Sequence, residues 1–204
     1  MAINLQKGQR VDLTKGNPGL SKIMVGLGWD PVQQNKGGGL FGSLFGGGTG
    51  GANVDCDASV LMLDENGKVK GNSDVIYFGN LKSRDGSIQH TGDNLTGDGA
   101  GDDEQIFVEL SRVPAAVHKL VFVVNIYDAV KRKQHFGMIQ NAFIRIVNPS
   151  SNETLLHYNL TDNYNGMTSL IVGELYRHGQ EWKFGAIGSG TSAGSLGEVV
   201  KSYS

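Results

Sequence analysis

The sequence predicts an all-β protein, a two-sheet β-sandwich with short helices in the connections and at the C-terminus. About ten short runs of alternating or continuous apolar residues follow one another, as strands of a sandwich do. Glycine accounts for 31 of the 204 residues and proline for four, which suits many tight turns. Helical periodicity is confined to a few short stretches. Short strands at close intervals with few helices favour two packed sheets.

Length and charge limit the class further. With 204 residues, 39% of them hydrophobic, and a formal net charge of -2, one sizeable core is expected, and we predict a single domain over residues 1–204. The near-neutral charge gives no general attraction to nucleic acid. Cys56 is the single cysteine, so no internal disulfide can form. Neither a leader in residues 1–20 nor an apolar run of about 18–20 residues is present, so we expect a cytoplasmic protein with no transmembrane segment.

The strands of the first half are expected in residues 1–9, 22–29, 55–63, 75–78, 87–91 and 105–110. In the second of these, Gly26 and Gly28 share one face, which predicts the close approach of a neighbouring backbone. The Asn66-Gly67 pair predicts a hairpin turn after the third strand.

In the second half, residues 119–127 form the most hydrophobic run and are expected to be a central strand. Further strands are expected in residues 143–147, 153–160, 168–176 and 181–187. Short helical turns are expected in residues 111–116 and 128–136 and around Leu196, Val199 and Val200. The basic cluster Lys131, Arg132 and Lys133 is interpreted as a solvated face, with an acidic partner as the alternative.

A glycine-rich stretch interrupts the first half. Residues 33–52 carry two Leu-Phe pairs in a glycine background, a composition typical of a flexible loop. We interpret it as an insertion at about residues 35–52. The alternative is that the Leu-Phe pairs dock on a partner.

Residues 92–104 are the strongest functional signal. They hold five carboxylates and four glycines and no basic residue. Two carboxylates about 6 Å apart repel by roughly 1 kcal/mol in water and by more at a shielded site. Either these side chains separate into solvent, or a cation neutralises them. The number of hard oxygen ligands suits Ca²⁺, which takes about 6–8 oxygens.

The spacing excludes an EF-hand. If Asp93 is position 1, Glu104 is position 12, but Leu95, Gly97 and Asp98 occupy positions where that loop needs other residues.

A second acidic feature is Asp55-Cys56-Asp57. On a strand the two carboxylates share one face about 7 Å apart and can bracket a cation; the alternative is a polar edge that faces water.

Several motifs together resemble the TerD family of tellurium-resistance and general stress proteins. They are residues 25–30 (VGLGWD), 55–59 (DCDAS), 90–94 (HTGDN), 101–104 (GDDE), 141–145 (NAFIR), 173–177 (GELYR) and 181–184 (EWKF). The resemblance covers nearly the whole chain. It departs at Cys56, where an aliphatic residue is usual, and at residues 35–52, which have no counterpart.

The resemblance implies a calcium-binding β-sandwich with two adjacent Ca²⁺ sites. The metal-binding motifs would place Asp55, Asp57, Asp93, Asn94, Asp98, Asp102, Asp103 and Glu104 around the ions. It also implies a link to resistance against tellurite and other chemical damage. The implied partners are other tellurium-resistance proteins, in a complex at the inner face of the cytoplasmic membrane.

Three functions are weighed. The first is a calcium-dependent binding or scaffold module without catalytic residues. The alternative is a metal-dependent hydrolase acting on a phosphorylated substrate, with His90 as the base. Direct redox detoxification through Cys56 is disfavoured, because no second thiol or cofactor motif accompanies it.

Overall fold

The structure, a computed structural model, describes residues 2–31, 54–92 and 101–204. Within these ranges the chain forms twelve strands: β1 (Ile3–Leu5), β2 (Arg10–Asp12), β3 (Lys22–Pro31), β4 (Cys56–Leu63), β5 (Val75–Ile76), β6 (Ile88–His90), β7 (Glu104–Glu109), β8 (Lys119–Ile126), β9 (Ile139–Asn148), β10 (Glu153–Asn159), β11 (Ser169–His178) and β12 (Glu181–Thr191). Two short α-helices are α1 (Ala129–Arg132) and α2 (Leu196–Lys201). Single 3-10 turns form at Asn72–Asp74 and Phe136–Met138.

The strands build two six-stranded sheets. Sheet A has the order β1-β10-β9-β3-β7-β6, and sheet B has the order β2-β12-β11-β8-β4-β5. All pairs are antiparallel except β1 with β10. The predicted β-sandwich is therefore confirmed, and β8 lies inside sheet B as its hydrophobic sequence indicates.

The main core lies between the sheets. Alternate residues of each strand face inward, so that Val25 and Leu27 of β3 meet Ala58 and Val60 of β4 in one buried cluster. A second, smaller cluster lies on the outer face of sheet B. There Val199 of α2 covers residues of β4, β5 and β8. The amphipathic turn predicted near the C-terminus is thus a helix that shields this face.

Two sequence predictions were wrong in detail. Strand β2 was not predicted, because its three residues carry too little apolar pattern; its pairing with β12, Lys183 opposite Asp12, defines it. Residues 111–116 form turns and no helix: Arg112 N and Val113 N both donate to Glu109 O, and Pro114 starts a second turn that ends at Val117. The predicted insertion at residues 35–52 lies outside the described residues.

The glycines of β3 do provide a close approach. A Cβ built on Gly26 would lie 2.3 Å from the Asp102 carboxylate, and one on Gly28 would lie 2.7 Å from the Gly101 carbonyl oxygen. Because Val25 and Leu27 face the core, these glycines lie on the outer face of sheet A. Residues 101–102 therefore occupy the space that two missing side chains leave, together with the Phe143 ring, which lies 2.4 Å from a Cβ built on Gly28.

We expect Gly26→Ala and Gly28→Ala each to lower the melting temperature by about 3–10 °C. Overpacking costs about 1–3 kcal/mol, and about 2–4 °C is lost per kcal/mol in a domain of this size. The control is Gly71→Ala, since a Cβ there meets nothing within 4 Å and the backbone is extended. Thermal melts followed by circular dichroism measure this. If all three variants melt together, residues 101–102 do not pack on β3.

Candidate metal centre

The site begins at an open edge of sheet B. Strand β4 pairs with β8 along its whole length, from Cys56 to Leu63, but with β5 only at Val60 and Leu61. The backbone N–H and C=O of Ala58 point away from β8 and have no strand beside them. Buried backbone groups require partners, so this edge must be closed by another element.

Two side chains of sheet A close it. Ala58 N donates to Glu104 Oε2 at 2.6 Å, and His90 Nε2 lies 3.1 Å from Ala58 O. His90 Nε2 is also 3.3 Å from Glu104 Oε2, and both side chains are fully buried. Gly92 N donates to His90 Nδ1 at 3.0 Å, so Nδ1 is the acceptor and Nε2 carries the proton. The His90–Glu104 pair therefore joins the two sheets.

Asp103, which precedes β7, extends the pairing of β7 with β3 by one residue. Asp103 N donates to Leu27 O at 2.8 Å. Trp29 N donates to Asp103 Oδ2 at 2.7 Å, so a side-chain oxygen takes the place of a backbone carbonyl. Burial and the negative charges of neighbouring carboxylates raise the pKa of the Asp103 carboxyl, while the hydrogen bond from Trp29 opposes that rise.

Asp102 faces away from this end, onto the outer face of sheet A. Arg145 Nε is 2.6 Å from Asp102 Oδ1, and Arg145 Nη2 is 2.9 Å from Oδ2. Gln105 Nε2 adds a hydrogen bond to Oδ2 at 3.2 Å. The paired carboxylate raises the pKa of Arg145. This bidentate pair neutralises the fully buried Asp102 and anchors the segment over Gly26.

Asp55 immediately precedes β4, and Asp57 is the second residue of that strand. Asp55 Oδ2 is 3.3 Å from Arg132 Nη1. Asp57 is 3% exposed and lies opposite Asn125 of β8 on the outer face of sheet B. The alternative that the two carboxylates form a polar edge facing water is thereby disfavoured, because both residues are largely buried.

The Cys56 thiol faces the core between the sheets, close enough to these carboxylates for their charges to affect its pKa. Burial of its thiol, followed by the negative charges of four neighbours, raises the pKa of Cys56 well above its ordinary value. Those neighbours are Asp57, Asp55, Glu104 and Asp103, in falling order of effect. The strand that carries Asp55 and Asp57 and the end of the acidic stretch therefore lie at the same end of the sandwich.

The predicted metal ligands divide into three groups. Asp55, Asp57, Asp103 and Glu104 lie at one end of the sandwich, where Glu104 Oε2 accepts from Ala58 N, while Asp102 pairs with Arg145. Asp93, Asn94 and Asp98 lie outside the described residues. Among the residues that are described, no three His, Cys, Asp or Glu side chains converge closely enough to hold a metal ion. The described residues alone do not complete a metal centre.

One atom nevertheless fits a cation. Glu104 Oε1 is buried and has no hydrogen-bond partner within residues 2–31, 54–92 and 101–204. A buried carboxylate oxygen without a donor is costly, and a bound cation removes that cost. The donors at this end are carboxylate oxygens, which are hard ligands of the kind that Ca²⁺ accepts.

Two arginines of this end were not predicted from the sequence. Arg145 stands within the apolar run of β9. A charged residue in an apolar strand, in a chain whose family-like residues 101–104 are acidic, is the one signal that could have indicated an ion pair. Arg132 was grouped with two lysines as a solvated face. No local sequence pattern distinguishes Arg132 from the two lysines, because its partner Asp55 lies 77 residues away in the chain.

A groove of about 910 Å³ opens beside Asp57. Its floor includes Ser59 and Asn125 of sheet B, and α2 forms one wall. Phe78 and Tyr127 line it with 41% and 43% of their surfaces exposed, and their rings meet edge to face at 6.3 Å. Exposed aromatic side chains around a groove are typical of a binding surface.

The fold and the site define the class of this protein, which is a two-sheet β-sandwich with several carboxylates at one end. The comparisons with known proteins give its family. The TerD domain matches residues 1–203, so the chain belongs to the TerD domain family. It is 66% identical to the stress response protein SCP2 of Bacillus subtilis (strain 168), with 100% of both chains covered. It is 44% identical to the tellurium resistance protein TerD of Serratia marcescens, covering 100% of this chain and 97% of that one.

A solved structure agrees with the fold. The crystal structure of a homologue of telluride resistance protein (TerD) from Streptomyces coelicolor A3(2) superposes with a TM-score of 0.63 at 19% identity, covering 88% of this chain and 98% of that chain. None of these names states an enzymatic activity. Within the described residues, no helix is both long and apolar enough to cross a membrane.

We expect the Cys56 thiol to be inert in the folded protein. It is fully buried, and its raised pKa suppresses the reactive thiolate. Thiol titration with Ellman's reagent at pH 8 should show no reaction in native buffer over minutes and one thiol per chain in guanidinium chloride. Rapid reaction of the native protein would reopen a redox role for Cys56.

Proposed function

We propose that this protein is a calcium-dependent binding module of the stress response, linked to resistance against tellurite and chemical damage. One observation carries the proposal: Oε1 of Glu104 is buried and has no hydrogen-bond partner among the described residues, at the end of the sandwich that also carries Asp55, Asp57 and Asp103. Such a group of negative charges is unfavourable without a cation. The names of the relatives, stress response protein and tellurium resistance protein, support the biological context.

Four described residues would hold the calcium. Asp55 and Asp57 would approach from β4, and Asp103 and Glu104 from the start of β7. Asp93, Asn94 and Asp98 would supply the further oxygens of two adjacent ions. Bound Ca²⁺ would offset the repulsion between the carboxylates and couple the order of this end to the metal.

Asp102 would act differently from its neighbours. Its two oxygens already contact Arg145 at 2.6 and 2.9 Å, so its charge is neutralised without a metal. It would hold residues 101–103 on sheet A and thereby fix where Asp103 and Glu104 point. We therefore propose Asp102 as an anchor of the site, in place of the ligand role that the resemblance implies.

The groove beside Asp57 would be the binding surface. The exposed rings of Phe78 and Tyr127 border it, and Asp57 lies in its wall, so metal binding and partner binding would share one residue. The proposed partners are other tellurium-resistance proteins, in an assembly at the inner face of the cytoplasmic membrane. Among the relatives, proteins named TerD, TerX and TerZ supply candidates for this assembly.

The hydrolase alternative finds no support in the geometry. A general base needs a nitrogen that can reach a substrate or its water. In His90, Nδ1 accepts from Gly92 N, and Nε2 faces Ala58 O and Glu104. The side chain is fully buried and joins the sheets.

Calcium is expected to raise the melting temperature by about 5–10 °C at a concentration near 100 times the dissociation constant, where ligand linkage stabilises by about 2.7 kcal/mol. Asp57→Asn and Asp103→Asn should each weaken calcium binding at least about tenfold in calorimetry, the loss of about 1.4 kcal/mol. Lys131→Ala, on an exposed side chain, is the control. An unchanged melting curve after chelation would contradict the proposal.

Asp102→Asn separates an anchor from a ligand. Because its charge is matched by Arg145, we expect the variant to melt lower by a similar amount with and without calcium. Its calcium affinity should change less than that of Asp103→Asn in the same titration. If both substitutions abolish calcium binding equally, Asp102 is a ligand.

A further inference from the structure

Arg132 is turned toward the acidic end by the backbone on both sides of α1. The helix has one turn, and the residues that flank it, Asp128 and Lys133, have left-handed φ values of 52° and 53°. Residues with a Cβ rarely adopt this conformation, and it persists where the surrounding structure imposes it. Arg132 N donates to Asp128 O at 2.8 Å and so closes the turn.

Among the described residues, the guanidinium has two partners. Arg132 Nη1 lies 3.3 Å from Asp55 Oδ2, and the guanidinium carbon lies 5.2 Å from the centre of the Tyr127 ring. The ion pair is looser than that of Arg145, whose two nitrogens are 2.6 and 2.9 Å from Asp102. The Arg132 side chain is 38% exposed, and that of Asp55 is 12% exposed.

The two lysines beside Arg132 do not share this position. The Lys131 side chain is 84% exposed and pairs with Asp128 at 3.7 Å, and Lys133 is exposed. Among the described residues, Arg132 is the one of the three whose charge contacts a carboxylate of the predicted metal set. The basic cluster is therefore divided: two charges face solvent, and one faces the acidic end.

We propose that Arg132 is a tethered counter-cation of the acidic end and competes with Ca²⁺ for Asp55. The proposal rests on the calcium binding proposed above. A guanidinium at 3.3 Å neutralises the carboxylate that the metal would use, and its charge repels a nearby divalent cation. The Tyr127 ring gives the guanidinium a second favourable contact, so that it can leave Asp55 without losing all of its interactions.

Two consequences follow from this competition. Without calcium, Arg132 limits the repulsion among the carboxylates around Cys56 and stabilises the metal-free fold. With calcium, the ion must first displace Arg132, which weakens the apparent affinity and sets the calcium concentration at which the site fills. Removing the guanidinium should therefore destabilise the metal-free state more than the calcium-bound state.

The test compares Arg132→Gln with Lys131→Gln, which removes an equal charge from the neighbouring residue. We expect Arg132→Gln to bind calcium about threefold to tenfold more tightly in calorimetry, since a partly buried pair contributes about such a factor. It should also melt lower than wild type in a chelator, and this difference should shrink in saturating calcium. Lys131→Gln should change the affinity less than about twofold, because an exposed charge is screened.

Arg132→Lys is the second variant. It retains the charge, so the proposal can still be tested if the protein does not fold with a neutral residue at position 132. It should restore most of the melting temperature in chelator. In the wild-type protein, the Arg132 Nε–H signal in a ¹⁵N spectrum should shift when calcium is added.

Calcium binding that is equally strong in Arg132→Gln and Lys131→Gln would overturn this proposal and leave the proposed function standing. So would weaker binding in Arg132→Gln, because Arg132 would then support the metal. A wild-type protein that binds no calcium would overturn the proposed function and this inference with it.

Discussion

The free edge of β4 at Ala58 is the constraint on which this end of the protein depends. Strand β5 is too short to cover it, and the His90–Glu104 pair of sheet A takes its place. This closure joins the two sheets, but it also buries a carboxylate beside Asp55, Asp57 and Asp103. Because Ala58 N needs a hydrogen-bond acceptor, a negative charge is placed near other carboxylates. The proposed calcium sites would offset the repulsion between these charges.

The negative charges are handled in distinct ways. Asp102 is neutralised by a bidentate arginine, and Asp103 accepts a backbone N–H in place of a strand neighbour. Asp55 faces a looser arginine, while Glu104 keeps one buried oxygen without a described partner. The tightly paired groups suit permanent structural roles, since an ion pair of good geometry is not readily exchanged. The loosely paired ones suit exchange with a metal.

Every described strand except β2, and the central position of β8, could be predicted, because each depends on the local pattern of apolar residues. The glycines of β3 correctly indicated a close backbone neighbour, which is the segment at Gly101 and Asp102. The ligand set stays a prediction, and three of its members lie outside the described residues. The roles of Arg132 and Arg145 could not be predicted, since their partners are 77 and 43 residues away in the chain.

By itself the sequence determined the sandwich class, the acidic character of one end and the family, because strand periodicity, composition and motifs are local properties of the chain. Only the tertiary structure decided which carboxylates meet one another and which meet an arginine. Pairing between β9 and β3 brings Arg145 to Asp102, and the turn of α1 brings Arg132 to Asp55. Electrostatic partners depend on distance in space, and that distance is set only when the two sheets pack together.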